Sequence, residues 1–165
     1  MTRHRHIHAL PRGISLIETI VTAAIVGVLA AVSLPSFLQW LEQRRVDDAL
    51  VRVEGALKES QREAIKRNTT CAVTIPQGEN QTITGDCFVT GDRRLEGVLL
   101  SHNRDNNWQI TFDFKGRNND PAQAGSLWLD SPNGGVQPRC LVISFGIGLM
   151  RTGNYDPQSS TCATS

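Results

Sequence analysis

PRGISLIETIVTAAIVGVLAAVSLP, residues 11–35, decides the architecture of this 165-residue chain. Residues 14–34 are an apolar run of 21, about 31 Å long as a helix, which matches a hydrocarbon core of about 30 Å. Arg3, Arg5 and Arg12 precede the run, and the polar mass of the chain follows it. That asymmetry predicts a single span with the N-terminus inside. An exported chain cleaved near the AAVSLP stretch, residues 30–35, is the competing reading. Glu18 interrupts the run. A carboxylate deep in a bilayer costs on the order of 3 kcal/mol, so it either reaches back to the headgroups or meets a cationic partner.

Outward from this stretch, composition narrows the class. Charged residues make up 20% and hydrophobic ones 39%, which fits neither a disordered nor a polytopic membrane chain. The formal net charge is +1. Without the three arginines of residues 1–13 the balance is 14 basic residues to 16 acidic, or −2, so the remaining chain is not a generally basic nucleic-acid binder.

Pro35 is expected to end or kink the first helix, with Ser36 as a cap for a second. Val46, Leu50, Val53, Leu57 and Ala64 then recur at helical spacing, with Ala49, Ala56 and Ile65 alongside. They predict an amphipathic helix over residues 36–67 with one buried face. Glu54 and Lys58 are an i,i+4 pair, and Lys66 and Arg67 suit the helix C-terminus. After Asn68 the composition turns to Thr, Val, Gly and Asn. Runs 70–75, 81–84 with 87–90, 97–101, 108–114, 126–130 and 139–144 read as strands between Gly-, Pro- and Asn-rich turns. The expected fold class is α+β, a mostly antiparallel sheet packed on the helix. Trp108, Phe112, Phe114 and Trp128 read as core.

The predicted topology places Cys71, Cys87, Cys140 and Cys162 outside the cytoplasm, where disulfides persist. Three pairings are possible. The favoured one joins Cys71 to Cys87 across a short loop and Cys140 to Cys162 at the tail. The chain has no C-x-x-C pair, and His102 is the only histidine beyond the first 13 residues, so no metal site is expected. His4, His6 and His8 resemble a chelator within the leader. Asn68-Thr69-Thr70 fits a glycosylation sequon, with little weight. No catalytic set is visible. His102 reads as a solvated loop histidine, Ser144-Phe145-Gly146 lacks the frame of a nucleophile elbow, and Gly146 and Gly148 precede no helix. No enzyme activity and no cofactor are expected.

Basic residues, then Gly13, then Glu18 at a fixed offset, an apolar helix and Pro35 together resemble the N-terminal signal of type IV pilins and pseudopilins. The resemblance implies a pilin-like fold and cleavage between Gly13 and Ile14 by a prepilin peptidase, with methylation of the new Ile14 amine. It implies four regions: leader 1–13, membrane and filament-core helix 14–35, amphipathic helix 36–67, and a β domain over 68–165. Glu18 would meet the N-terminal amine of a neighbouring subunit, and Pro35 falls where pilins kink. The subunit would wait in the inner membrane, then join other pilins or pseudopilins in a filament at the periplasm or cell surface.

Residues 64–75, 110–117, 127–129 and 139–153 further resemble the GspH/FimT subgroup of minor pilins and pseudopilins. Some members take up DNA with a Gly-Arg-x-Arg motif, but here residues 146–151 read GIGLMR, with one arginine. Lys115, Arg117, Arg139 and Arg151, with Arg93, Arg94 and Arg104, are the candidate phosphate contacts of that alternative, a nucleic-acid partner that is not favoured.

Overall fold

The computed structural model describes residues 13–104 and 107–164. Residues 1–12 of the expected leader, with His4, His6 and His8, lie outside them. The chain falls into two compact units, one ending at Leu38 and one running from Gln39.

A single helix, α1 (Leu16–Arg67), runs through both. Pro35 therefore does not terminate it, and Ser36 is no cap. A proline removes one N–H donor, and the helix continues past that single lost bond. The end of α1 is chemically defined. Asn68 adopts the left-handed conformation (φ 51°). Its N–H donates to the Ile65 carbonyl (3.3 Å) and the Thr69 N–H to the Ala64 carbonyl (3.1 Å), which closes the last turn as a Schellman motif.

In the second unit the chain forms β1 (Cys71–Pro76), β2 (Gly78–Glu79), β3 (Thr82–Gly85), β4 (Arg93–Arg94), β5 (Leu99–His102), β6 (Asn107–Phe112), β7 (Gly125–Asp130), β8 (Arg139–Ile143), β9 (Met150–Asp156) and β10 (Thr161–Thr164). They make a four-stranded sheet, β4-β3-β1-β6, and a six-stranded sheet, β10-β9-β8-β7-β5-β2. Neighbouring strands pair antiparallel, for example Cys71 opposite Phe112 and Cys140 opposite Gly153. The architecture is the expected α+β one, a long N-terminal helix with antiparallel sheets.

The core is one cluster. Val46, Ala49, Leu50, Val53, Ala56, Leu57 and Ala64 supply the helix face, and Val73, Ile75, Leu100, Ile110, Phe112, Leu127, Leu129 and Leu141 supply the sheets. Burial of side chains of this size stabilises by roughly 1.5–3 kcal/mol each, and it is this face that holds the second half of α1 on the domain.

Several expectations are corrected. Ile65 is 52% exposed and Phe114 47%, so neither is core. Residues 87–90 form no strand, because the Val89 and Thr90 N–H groups donate to the Glu59 carboxylate on α1 instead of to a neighbouring strand. Strands β9 and β10 lie beyond the last expected run at 139–144. Their sequences, MRTGNYD and TCAT, hold no apolar alternation, and the first contains a glycine, so they carry little strand signal.

Candidate functional site

The N-terminal end of α1 is built from Ile14 to Glu18. Gly13 and Ile14 are exposed. Ser15 caps the helix. Its carbonyl accepts from the N–H groups of Glu18 (3.1 Å) and Thr19 (3.2 Å), and its Oγ accepts from Glu18 N–H at 3.3 Å. Ser15-x-x-Glu18 is thus a capping-box pattern, and it puts the carboxylate in the first turn, where the helix dipole favours negative charge. The reading of the sequence missed this role for Ser15, although the four-residue spacing was visible.

The rest of the apolar segment is arranged for an apolar solvent. Thr19 Oγ1 donates to the Leu16 carbonyl (2.7 Å), Thr22 Oγ1 to that of Glu18 (2.9 Å), and Ser33 Oγ to that of Leu29 (2.8 Å). Each hydroxyl is satisfied by its own helix, which removes the cost of placing it among hydrocarbon. An 18-residue window in α1 has mean hydropathy 2.2, and none of it is buried within the chain. Leu16, Ile17, Val28 and Leu29 are each more than 60% exposed. A helix that is apolar all round and uncovered by its own chain needs a lipid or protein surround.

In the second unit, disulfides join Cys71 to Cys87 and Cys140 to Cys162. Beside the first, Glu59 on α1 latches the loop that precedes β4. It accepts from the N–H groups of Val89 (2.8 Å) and Thr90 (3.2 Å) and pairs with Arg93. Burial raises the pKa of Glu59, but these hydrogen bonds and the Arg93 charge outweigh it and hold it below the usual carboxylate value. Asp113 plays a similar part in the turn after β6. Burial again raises its pKa, and the Arg117 guanidinium, the Arg117 and Lys115 N–H groups and the Asn119 amide pull it well below the ordinary range.

His102 is not a solvated loop residue. It is 5% exposed at the end of β5, its ring 5.5 Å from that of Trp108. Nε2 lies 3.1 Å from the Ile75 carbonyl, while Nδ1 faces Gln77 Nε2 at 3.0 Å and the Arg104 N–H at 3.3 Å. Burial lowers its pKa.

Most of the candidate phosphate contacts are already engaged by other groups. Lys115 and Arg117 share one turn, with Lys115 Nζ 5.5 Å over the Phe114 ring and Arg117 bound to Asp113 at 2.7 Å. Arg139, at the start of β8, pairs with Asp47 at 2.9 Å. Arg151 is exposed on β9, opposite Val142. Arg93 and Arg94 pair with Glu59 and Glu96, and Arg104 donates to the Ala124 carbonyl. Among the described residues, no group of three or more His, Cys, Asp or Glu side chains could hold a metal ion.

No family model and no solved structure matches the chain. Curated relatives do. A fimbrial protein of Neisseria meningitidis serogroup B is 28% identical over 139 residues, covering 81% of this chain and 74% of the relative. The type IV major pilin protein PilE1 of Neisseria gonorrhoeae is 29% identical over 136 residues, covering 81% and 77%. A gonococcal type IV major pilin protein PilE reaches 40% identity, but over 48 residues only, 29% of each chain. Two of these relatives are type IV major pilins and the other a fimbrial protein, and they do not single out the GspH/FimT subgroup.

Proposed function

We propose that this chain, a type IV pilin-like protein, is a non-enzymatic subunit of a pilus, cut between Gly13 and Ile14 by a prepilin peptidase and methylated on Ile14. The observation that carries the reading is the uncovered apolar helix at the start of α1, which needs the same surround in a bilayer as in a filament core. The span lies N-in in the inner membrane before assembly. In the filament, Glu18 pairs with the Ile14 amine of a neighbouring subunit. Position favours this: Glu18 is one turn into the helix, and a lone charge in an apolar packing is tolerable only when paired.

The major-pilin relatives favour a pilus over a secretion pseudopilus. The likeness of residues 110–117 and 139–153 to minor pilins favours a minor subunit within it. A DNA-uptake role has less support, since Arg117 and Arg139 are engaged by Asp113 and Asp47.

The test is Glu18→Ala in cells that make the filament. The variant is expected to accumulate in the membrane and to be lost from the sheared filament fraction. Normal incorporation would contradict the assembly role of Glu18.

A further inference from the structure

Within the second unit, α1 has two unlike surfaces on its flanks. At about 100° per residue, Glu59 points about 160° away from Gln61. On the Glu59 flank the loop 86–92, DCFVTGD, stands out as a knob. Val89 at its tip is 62% exposed, and Asp86 and Asp92 on either side are exposed as well. The knob is held in one shape. Cys87 is tied to Cys71, Glu59 accepts from the Val89 and Thr90 N–H groups, and the Arg93 guanidinium lies 5.3 Å over the Phe88 ring. An apolar tip fixed in this way has already given up the entropy that docking would otherwise cost.

On the Gln61 flank two turns meet. Gln61 Nε2 donates to the Gly116 carbonyl (2.7 Å) and lies 3.4 Å from the carbonyls of Ile147 and Gly148. The Asn118 N–H donates to the Gly146 carbonyl (2.9 Å), and the Gly146 N–H to that of Asn118 (2.8 Å). These bonds join the turn after β6 to the loop between β8 and β9. Both turns leave large apolar side chains in solvent: Phe114 on the first, Phe145, Leu149 and the 71% exposed Ile147 on the second, with Ile65 of α1 beside Gly116. Lys58, Gln61, Ile147 and Leu149 line a shallow hollow there. Large apolar side chains left together at a surface mark a contact. The rim is basic, with Lys58 at the edge of the hollow and Lys115 Nζ 5.5 Å over the Phe114 ring. The acids nearby are occupied: Asp113 by Arg117 and Asn119, and Glu63 by Lys66 and Arg67. Lys58 meets Glu54 at 2.5 Å, a solvent-exposed pair of the kind that exchanges at little cost.

We propose that the knob 86–92 of one subunit docks in this hollow on the next, and that the next subunit is a second copy of this chain. Charge complementarity names the occupant. An exposed valine between two aspartates faces an apolar hollow rimmed by lysines, so Asp86 and Asp92 meet Lys58 and Lys115 while Val89 covers Ile147. Knob and hollow are different surfaces on opposite flanks of α1. The contact is therefore heterologous, and repeated from copy to copy it runs on along a fibre instead of closing as a dimer. The inference rests on the filament reading and deepens it, adding a contact between domains to the pairing of Glu18.

The test uses the full chain in cells that make the filament, with Val89→Cys and Ile147→Cys together in one chain. Among the described residues every native cysteine is in a disulfide, so the two new thiols are the free ones. Mild oxidation of the sheared filament fraction is expected to give a ladder of linked copies on a non-reducing gel, and neither single variant is expected to link. A double variant that assembles but stays monomeric, a single variant that links, or linkage only to a different pilin would overturn the proposal. A charge swap tests it without cysteines. Asp86→Lys with Asp92→Lys is expected to lose incorporation, and adding Lys58→Glu with Lys115→Glu to restore it. Undiminished incorporation of the first variant, or no recovery in the second, would overturn the docking while the parent chain still assembles. A parent chain that never enters the filament overturns the filament reading and the docking together.

Discussion

His102 presents Nδ1 to two N–H donors and Nε2 to one carbonyl, a set that fits the neutral ring protonated on Nε2. A second proton would sit on Nδ1, against Gln77 and the Arg104 N–H. The folded pKa is therefore below the ordinary value of 6.5, with burial as the main cause. As pH falls, the unfolded chain takes up the proton first, so the stability tied to the neutral ring is present above about pH 6.5 and lost below it. Calorimetric Tm between pH 8 and pH 5 should fall across the acidic half of that range, and His102→Gln should flatten the fall. An equally steep fall in the variant would place the sensitivity elsewhere. Glu59 works in the opposite chemical sense, as a carboxylate kept ionised by donors. Glu59→Ala strands the Val89 and Thr90 N–H groups and Arg93, and should cost about 1.5–3 kcal/mol in chemical unfolding of the detergent-solubilised chain. Nothing in the sequence around Glu59 announced this latch, because its partners lie 30 to 34 residues away.

Long periodic elements were legible in the sequence, and short polar ones were not. The buried stripe Val46, Leu50, Val53, Leu57 and Ala64 could be read from spacing, as could the apolar segment, because each depends on local pattern alone. Ile65 misled, since a one-residue step from Ala64 rotates a side chain by about 100° and out of the buried face. Strands β9 and β10 depend on tertiary restraint instead. Gly153 on β9 lies between Cys140 of β8 and Thr164 of β10 in the register, and a Cβ there would run into the Ala163 carbonyl oxygen. A methyl group cannot share that space with backbone. Gly153→Ala should therefore push β10 off the sheet and separate Cys162 from Cys140, with a loss of about 2–4 kcal/mol, the usual contribution of such a bridge. Alkylation followed by mass measurement should find two reactive thiols. A fully oxidised variant of unchanged Tm would show that β10 yields at no cost.

The molecule combines an apolar helical segment that its own chain leaves uncovered with a disulfide-tied domain built on the buried face of the same helix. Charge separates the same two parts. Residues 1–13 carry three arginines and no acid, and residues 14–165 carry a net −2. A purified mature chain should accordingly give no salt-sensitive retardation of duplex DNA at low ionic strength, where phosphate contacts are strongest. Retardation that fades with added salt would restore the DNA-uptake reading. The central claim, that this chain is a processed subunit of a filament, is tested most directly by intact, non-reducing mass measurement on the sheared filament fraction of cells that express it. The account predicts a chain that begins at Ile14, carries one added methyl group and lacks the hydrogens of all four thiols. A chain confined to the membrane fraction, one that keeps its leader, or one cut near Ser33 would contradict it.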